Sequence, residues 1–103
     1  MKSSLIWTSG ATEDLKDIYG YISKDSEYYA KAYIAKIFGA VEGLPVFPMK
    51  GRKVPEFDRD DIREIIFDPY RIIYRIAQDR IFIVTVIHGK RDIEKERGRI
   101  EKA

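Results

Sequence analysis

The residues of this chain best suited to chemistry are crowded into its second half. All nine arginines lie at or after Arg52, and the single histidine is His88. Residues 1–49 carry five lysines and six acids, net −1, while residues 50–103 carry 14 cations and 11 acids, net +3. Arginine offers a planar fork that grips two phosphate oxygens and stays charged. Histidine offers a proton near neutral pH. Strand parity brings the two types together. With Gln78-Asp79 as a two-residue hairpin turn, Ala77 pairs with Arg80, Arg75 with Phe82, Ile73 with Val84 and Arg71 with Val86. His88 then shares a sheet face with Arg71, unless the register slips by one residue. Plainer roles compete: Arg63, Arg71 and Arg75 could pair with Glu56, Glu64 or Asp68, and His88 could be structural. Asp58, Asp60 and Asp61 have neither the spacing nor the histidines of a metal site. The absence of cysteine excludes disulfides, thiolate metal sites and cysteine nucleophiles.

Positioning such residues requires elements, and the periodicity supplies them. Leu5-Ile6-Trp7 reads as a first strand. Leu15, Ile18, Tyr19 and Ile22 follow a helical spacing, with Ser9 or Thr12 as cap. Lys24-Asp25-Ser26 makes a turn. Ala30, Tyr33, Ile34, Ile37, Val41 and Leu44 form the stripe of a second helix, which Pro45 stops. The two helices should form an antiparallel hairpin. Residues 45–61 read as a loop, long enough to suggest a functional role or a hidden short element. Residues 62–67, 71–77 and 81–88 read as strands, the first pair joined through Asp68-Pro69 by a turn of two or four residues. Ten of the last 15 residues are charged, so residues 93–103 read as a charged tail or short solvated helix.

The expected fold is α+β in the order β-α-α-β-β-β, with a helix hairpin packed on a small antiparallel sheet whose other face is open to water or a partner. The 103 residues fit one domain, 45% hydrophobic, with core enough to fold unaided. No apolar run reaches membrane-spanning length, and no signal-peptide pattern opens the chain, so the cytoplasm is the expected compartment. A net charge of +2 argues against strong non-specific nucleic-acid binding.

Several runs together resemble a known family. They are Gly51-Arg52-Lys53-Val54-Pro55-Glu56, Ile62-Arg63-Glu64-Ile65, Tyr70-Arg71-Ile72-Ile73-Tyr74-Arg75, and Val86-Ile87-His88-Gly89-Lys90-Arg91-Asp92. With Trp7, Asp14-Leu15, Ile18, Tyr21-Ile22, Leu44 and Phe47-Pro48, they resemble the RelE/ParE superfamily of toxins from type II toxin–antitoxin systems. The likeness spans residues 5–92 and is strongest to the ParE, or plasmid stabilization, branch. It implies a cytoplasmic toxin without cofactor or metal, held inactive in a hetero-oligomer by a cognate antitoxin and not attached to a membrane. RelE-like members cleave mRNA on the ribosome, whereas ParE-like members inhibit DNA gyrase.

The resemblance also implies roles. Arg71 and Arg91 match catalytic arginines of RelE-like nucleases, and Glu56, Arg71 and His88 match a Glu/Arg/His set of YoeB-like toxins. Metal-free RNA cleavage would then use Glu56 as base, His88 as acid, and Arg71 and Arg91 as phosphate clamp. Arg52, Lys53, Arg63 and Lys90 are the expected contacts to nucleic acid or to a protein target. Three departures weaken the nuclease match: Glu64 stands near a RelE lysine, Arg97 stands at the position of the C-terminal catalytic tyrosine, and Gly89 stands where YoeB has tyrosine. The ParE-like reading therefore leads, a RelE-like mRNA endonuclease is second, and a small binding module without toxicity is third. The antitoxin is expected to bring an acidic amphipathic helix to the groove beside the helix hairpin, with strand addition at the sheet edge as a further mode.

Overall fold

A computed structural model describes residues 3–102. Its elements are β1 (Ser4–Trp7), α1 (Ser9–Ser23), α2 (Glu27–Val41), β2 (Arg52–Lys53), β3 (Ile62–Phe67), β4 (Tyr70–Ala77), β5 (Arg80–His88) and α3 (Arg97–Lys102). Short 3-10 turns at Pro48–Lys50 and Ile93–Glu96 precede β2 and α3. The expected α+β fold, a helix hairpin packed on a sheet, is present. The sheet is not wholly antiparallel and has five strands in the order β1-β5-β4-β3-β2. β1 runs parallel to β5, from which it is separated in sequence by the helix hairpin and strands β2, β3 and β4. β2 was hidden in the long loop because two residues show no alternation.

The helix boundaries follow from side-chain caps. Thr8, rather than Ser9 or Thr12, caps α1 by accepting a bond from the Ala11 N–H at 3.2 Å. Ser26 caps α2 by accepting from the Tyr29 N–H at 3.0 Å. The inward stripes, Ala11, Leu15 and Ile18 of α1 and Ile37 and Val41 of α2, pack on Ile72, Tyr74, Ile81, Ile83 and Val86 of the sheet.

The opposite sheet face is closed rather than open. Val54, Phe57, Ile62, Ile73, Val84 and Ile87 form a second core beneath Ile93 and Ile100 of the C-terminal segment. Ile93 and Ile100 are seven residues apart, so they share one side of that segment. Arg99 ties the same segment to α1, bonding Asp14 at 3.0 Å and also the Thr85 hydroxyl. The tail of residues 93–103 is therefore, over its described part, an integral cover.

The β4–β5 ladder decides where the candidate residues fall. Ala77 pairs with Arg80 and Arg75 with Phe82, as the two-residue turn dictates. The register then shifts: Tyr74 pairs with Ile83 but Ile73 with Thr85, leaving Val84 as the extra residue of a β-bulge. The expected pairs Ile73–Val84 and Arg71–Val86 do not form. Arg71 pairs instead with Ile87, and Tyr70 with His88. One inserted residue reverses side-chain parity, so Arg71 and His88 lie on opposite faces. The β3–β4 turn is the two-residue option, Asp68-Pro69 with a cis peptide bond.

Candidate functional site

The four candidate catalytic residues divide into two pairs, one on each side of the sheet. On the second-core side, Glu64 points inward between Ile62 and Ile66 of β3, and its carboxylate is fully buried. It accepts from Arg52 Nε at 2.7 Å and from Arg71 Nε at 2.5 Å. Arg71 turns its outer edge to Glu56 as a two-pronged pair, Nη1 to Oε2 at 3.0 Å and Nη2 to Oε1 at 2.9 Å. The guanidinium is thus gripped by two carboxylates, the charge-assisted geometry in which arginine binds most strongly. The paired edge is the one the resemblance to RelE-like nucleases would assign to phosphate.

This pairing sets the proton chemistry of Glu56. The hydrogen bonds from Arg71, above all, hold its carboxyl below the usual carboxylate range, and Arg71 is itself held more firmly protonated. A carboxylate so stabilised is a weaker proton acceptor, which is unfavourable for a general base. The shift carries a stability consequence. Because the folded-state pKa is depressed, the contribution of Glu56 is present above its unfolded-state value, about 4.3, and is lost as pH falls through the folded value. Acid titration of Tm from pH 5 to 2 should therefore show Glu56→Gln losing less stability than the unaltered chain. The carboxylate is 36% exposed, so solvent screening keeps the difference to about 0.2–1 kcal/mol. Parallel curves would mean that the pair contributes nothing.

His88 and Arg91 lie on the helix side. They border a cleft of about 110 Å³ with Asp14, Asp17, Ile18 and Tyr70. The imidazole stands edge-on to the Tyr70 ring, centroids 5.7 Å apart. Its Nδ1 accepts from the Lys90 backbone N–H at 3.1 Å, so the neutral ring carries its proton on Nε2. Arg91 is exposed, with Glu96 4.0 Å away. Asp14 is already committed, accepting from the Thr85 hydroxyl, the Val86 N–H and Arg99. Its bond to Val86 caps β5 where β1 no longer covers it.

Of the expected contact residues, Arg52 and Lys53 are exposed on β2 and Lys90 is exposed beyond β5. Arg52 bonds Glu64, and Lys53 approaches Asp58 at 3.5 Å and Asp60 at 3.8 Å. Arg63 is not a surface cation. Its side chain is 12% exposed and donates to the Asp60 carbonyl at 2.9 Å and the Gly51 carbonyl at 2.7 Å. Arg97, at the position noted for its missing tyrosine, lies 4.2 Å over the Phe57 ring and bonds the Glu56 carbonyl at 3.2 Å. The acids of the 58–61 run are engaged with cations, Asp61 with Arg59 at 2.8 Å.

Sequence reasoning offers Glu64 as one of three acids that Arg63, Arg71 or Arg75 could pair with, and Arg71 does pair with it, but it does not offer Glu64 as the buried centre of the network. Its signal was present, since Ile62, Glu64 and Ile66 alternate and set a carboxylate at a core position. The bridge from Arg99 to Asp14 joins residues 85 apart, and neither residue had a local signal.

Comparison with known proteins places this geometry. Residues 5–93 match the family model described as ParE toxin of type II toxin–antitoxin system, parDE. A candidate toxin of Sinorhizobium fredii, Y4kP, is 37% identical over 84 residues, covering 81% of this chain and 84% of the relative. Toxin RelE2 of Caulobacter vibrioides is 29% identical over 90 residues, covering 86% and 98%. The fold matches a structure of the chromosomal ParDE toxin–antitoxin system of P. aeruginosa at TM-score 0.71 and 23% identity, covering 84% and 96% of the two chains. It matches the RelBE2 toxin–antitoxin complex of Mycobacterium tuberculosis at TM-score 0.55 and 20% identity, covering 85% and 99%.

Proposed function

The chain belongs to the ParE toxin family of type II toxin–antitoxin systems, and from that membership we propose that it arrests growth by binding DNA gyrase. A cognate antitoxin holds it inactive in a hetero-oligomer, and it acts in the cytoplasm. The observation that carries this reading is the division of the candidate nuclease groups. Metal-free RNA cleavage needs a base, a cationic clamp and an acid around one phosphate. Here Glu56 and Arg71 are bound to each other on one face of the sheet, while His88 and Arg91 stand beyond the other. Inhibition by binding requires none of these groups to converge; it requires a complementary surface. Lys90 and Arg91 are exposed together at the end of β5 and are available for target contact.

A RelE-like, ribosome-dependent mRNA endonuclease is the second reading, favoured by the likeness to toxin RelE2. It would require the target to pull Glu56 away from Arg71. Inducing the chain alone, and together with the product of the adjacent gene, tests the toxin assignment. Growth arrest relieved by co-expression is expected, and no arrest would end it. Under arrest, His88→Ala should remain toxic and ribosome-bound mRNA should stay intact. Cleavage that His88→Ala abolishes would transfer the assignment to the nuclease.

A further inference from the structure

β1 is an outer edge of the sheet, and nothing in its sequence blunts it. Exposed edges are usually guarded by charge, proline, a bulge or brevity. β2, the opposite edge, has only two residues, Arg52 and Lys53, both charged. Ser4, Leu5, Ile6 and Trp7 of β1 include no ionisable group and no proline. The Ser4 and Thr8 N–H groups donate to the Asp79 and Ile83 carbonyls at 2.8 and 3.1 Å, so alternation turns the N–H and C=O of Leu5 and Trp7 away from β5. The Ser3 N–H bonds the Pro45 carbonyl at 3.1 Å, so the open stretch begins at Leu5.

Both flanks of that stretch are apolar. On the helix side, Trp7 packs edge-on against Phe38 of α2, centroids 4.8 Å apart, and Phe38 is 45% exposed. Ile6 projects to the other side, is 36% exposed, and pairs with Phe82 of β5. A charged partner finds no complement on this strand, whereas a second copy fits it by symmetry. Antiparallel pairing about a two-fold axis at Ile6 sets Leu5 of each copy opposite Trp7 of the other, and these residues, whose polar groups face outward, exchange both N–H···O bonds. The cross-strand neighbours are Leu5 with Trp7 on one face and Ile6 with its counterpart on the other, apolar pairs without like charges. Self-pairing of β2 would instead set Arg52 and Lys53 against cations.

We propose that the chain forms a two-fold dimer through β1, which joins the two sheets into one continuous sheet with a β2 edge at each end. The dimer does not depend on which target the chain acts upon. Its test is the mass of the purified full chain in solution. Sedimentation at high micromolar concentration should give twice the chain mass of 12.0 kDa, with dissociation on dilution. Trp7 is the only tryptophan, so its emission should move to the red as the dimer dissociates. The Leu5 and Trp7 amides should exchange slowly in the dimer and fast after dilution. Ile6→Lys sets like charges opposite each other across the axis and should raise the dissociation constant about 10–100-fold, with the circular dichroism unchanged. Mixing Ile6→Lys with Ile6→Glu should restore a dimer, which variants that had failed to fold could not do. A mass of 12.0 kDa for the unaltered chain throughout the concentration range would overturn the proposal. So would an Ile6→Lys dimer of undiminished affinity, or a Lys and Glu mixture that stays monomeric.

Discussion

Replacing Arg71 by alanine should lower the unfolding free energy by about 3 kcal/mol, the low end of the cost of breaking a buried ion pair. The carboxylate of Glu64 is wholly buried, and Arg71 supplies one of its two cations at 2.5 Å. Without Arg71, Glu64 keeps only Arg52, whose side chain is 61% exposed and so provides a screened charge. Arg52 is the reason to expect the low end of the range. Each kcal/mol moves Tm by about 4–8 °C in a domain of this size, so a fall of roughly 12–24 °C is expected. Urea unfolding supplies the free energy directly. Replacing Glu64 and Arg71 together by leucine should recover most of the loss, because the stranded carboxylate goes with its partner. A Tm unchanged in Arg71→Ala would mean that the network does not hold β3 to β4. This bears on function as well: loss of toxicity in Arg71→Ala must be read after correction for the folded fraction, since the side chain is structural before it is anything else.

Ile100→Ala should cost about 3 kcal/mol, within the 2–5 kcal/mol typical of buried isoleucine truncation. Ile100 is 0% exposed and lies in the core that closes the second sheet face. Its neighbour Lys102 is exposed, and Lys102→Ala should stay within about 0.5 kcal/mol of the unaltered chain. Equal, small effects in both variants would mean that α3 is a loose appendage.

Much of this architecture was legible because it rests on local periodicity. The stripes of α1 and α2, the Gln78-Asp79 turn and the three long strands each follow from side-chain alternation within a few residues. The failures share a different cause. The bulge at Val84 leaves no mark in the sequence 80–88, yet one extra residue separates His88 from Arg71 and dissolves the constellation that parity had assembled. Ile93 and Ile100 were submerged among ten charges, although their spacing marks one buried side. Thr8 caps α1 because it also reaches the Ile83 carbonyl at 2.9 Å, a contact 75 residues away. Long-range geometry decided the site, and local patterns decided the elements that carry it.

Inhibition of gyrase by binding, the proposed activity, can be followed as plasmid supercoiling by purified gyrase with increasing amounts of this chain. Supercoiling should fall as the chain is added and return when the adjacent gene's product is included. Undiminished supercoiling by a folded chain that still arrests growth in cells would rule out gyrase as the target.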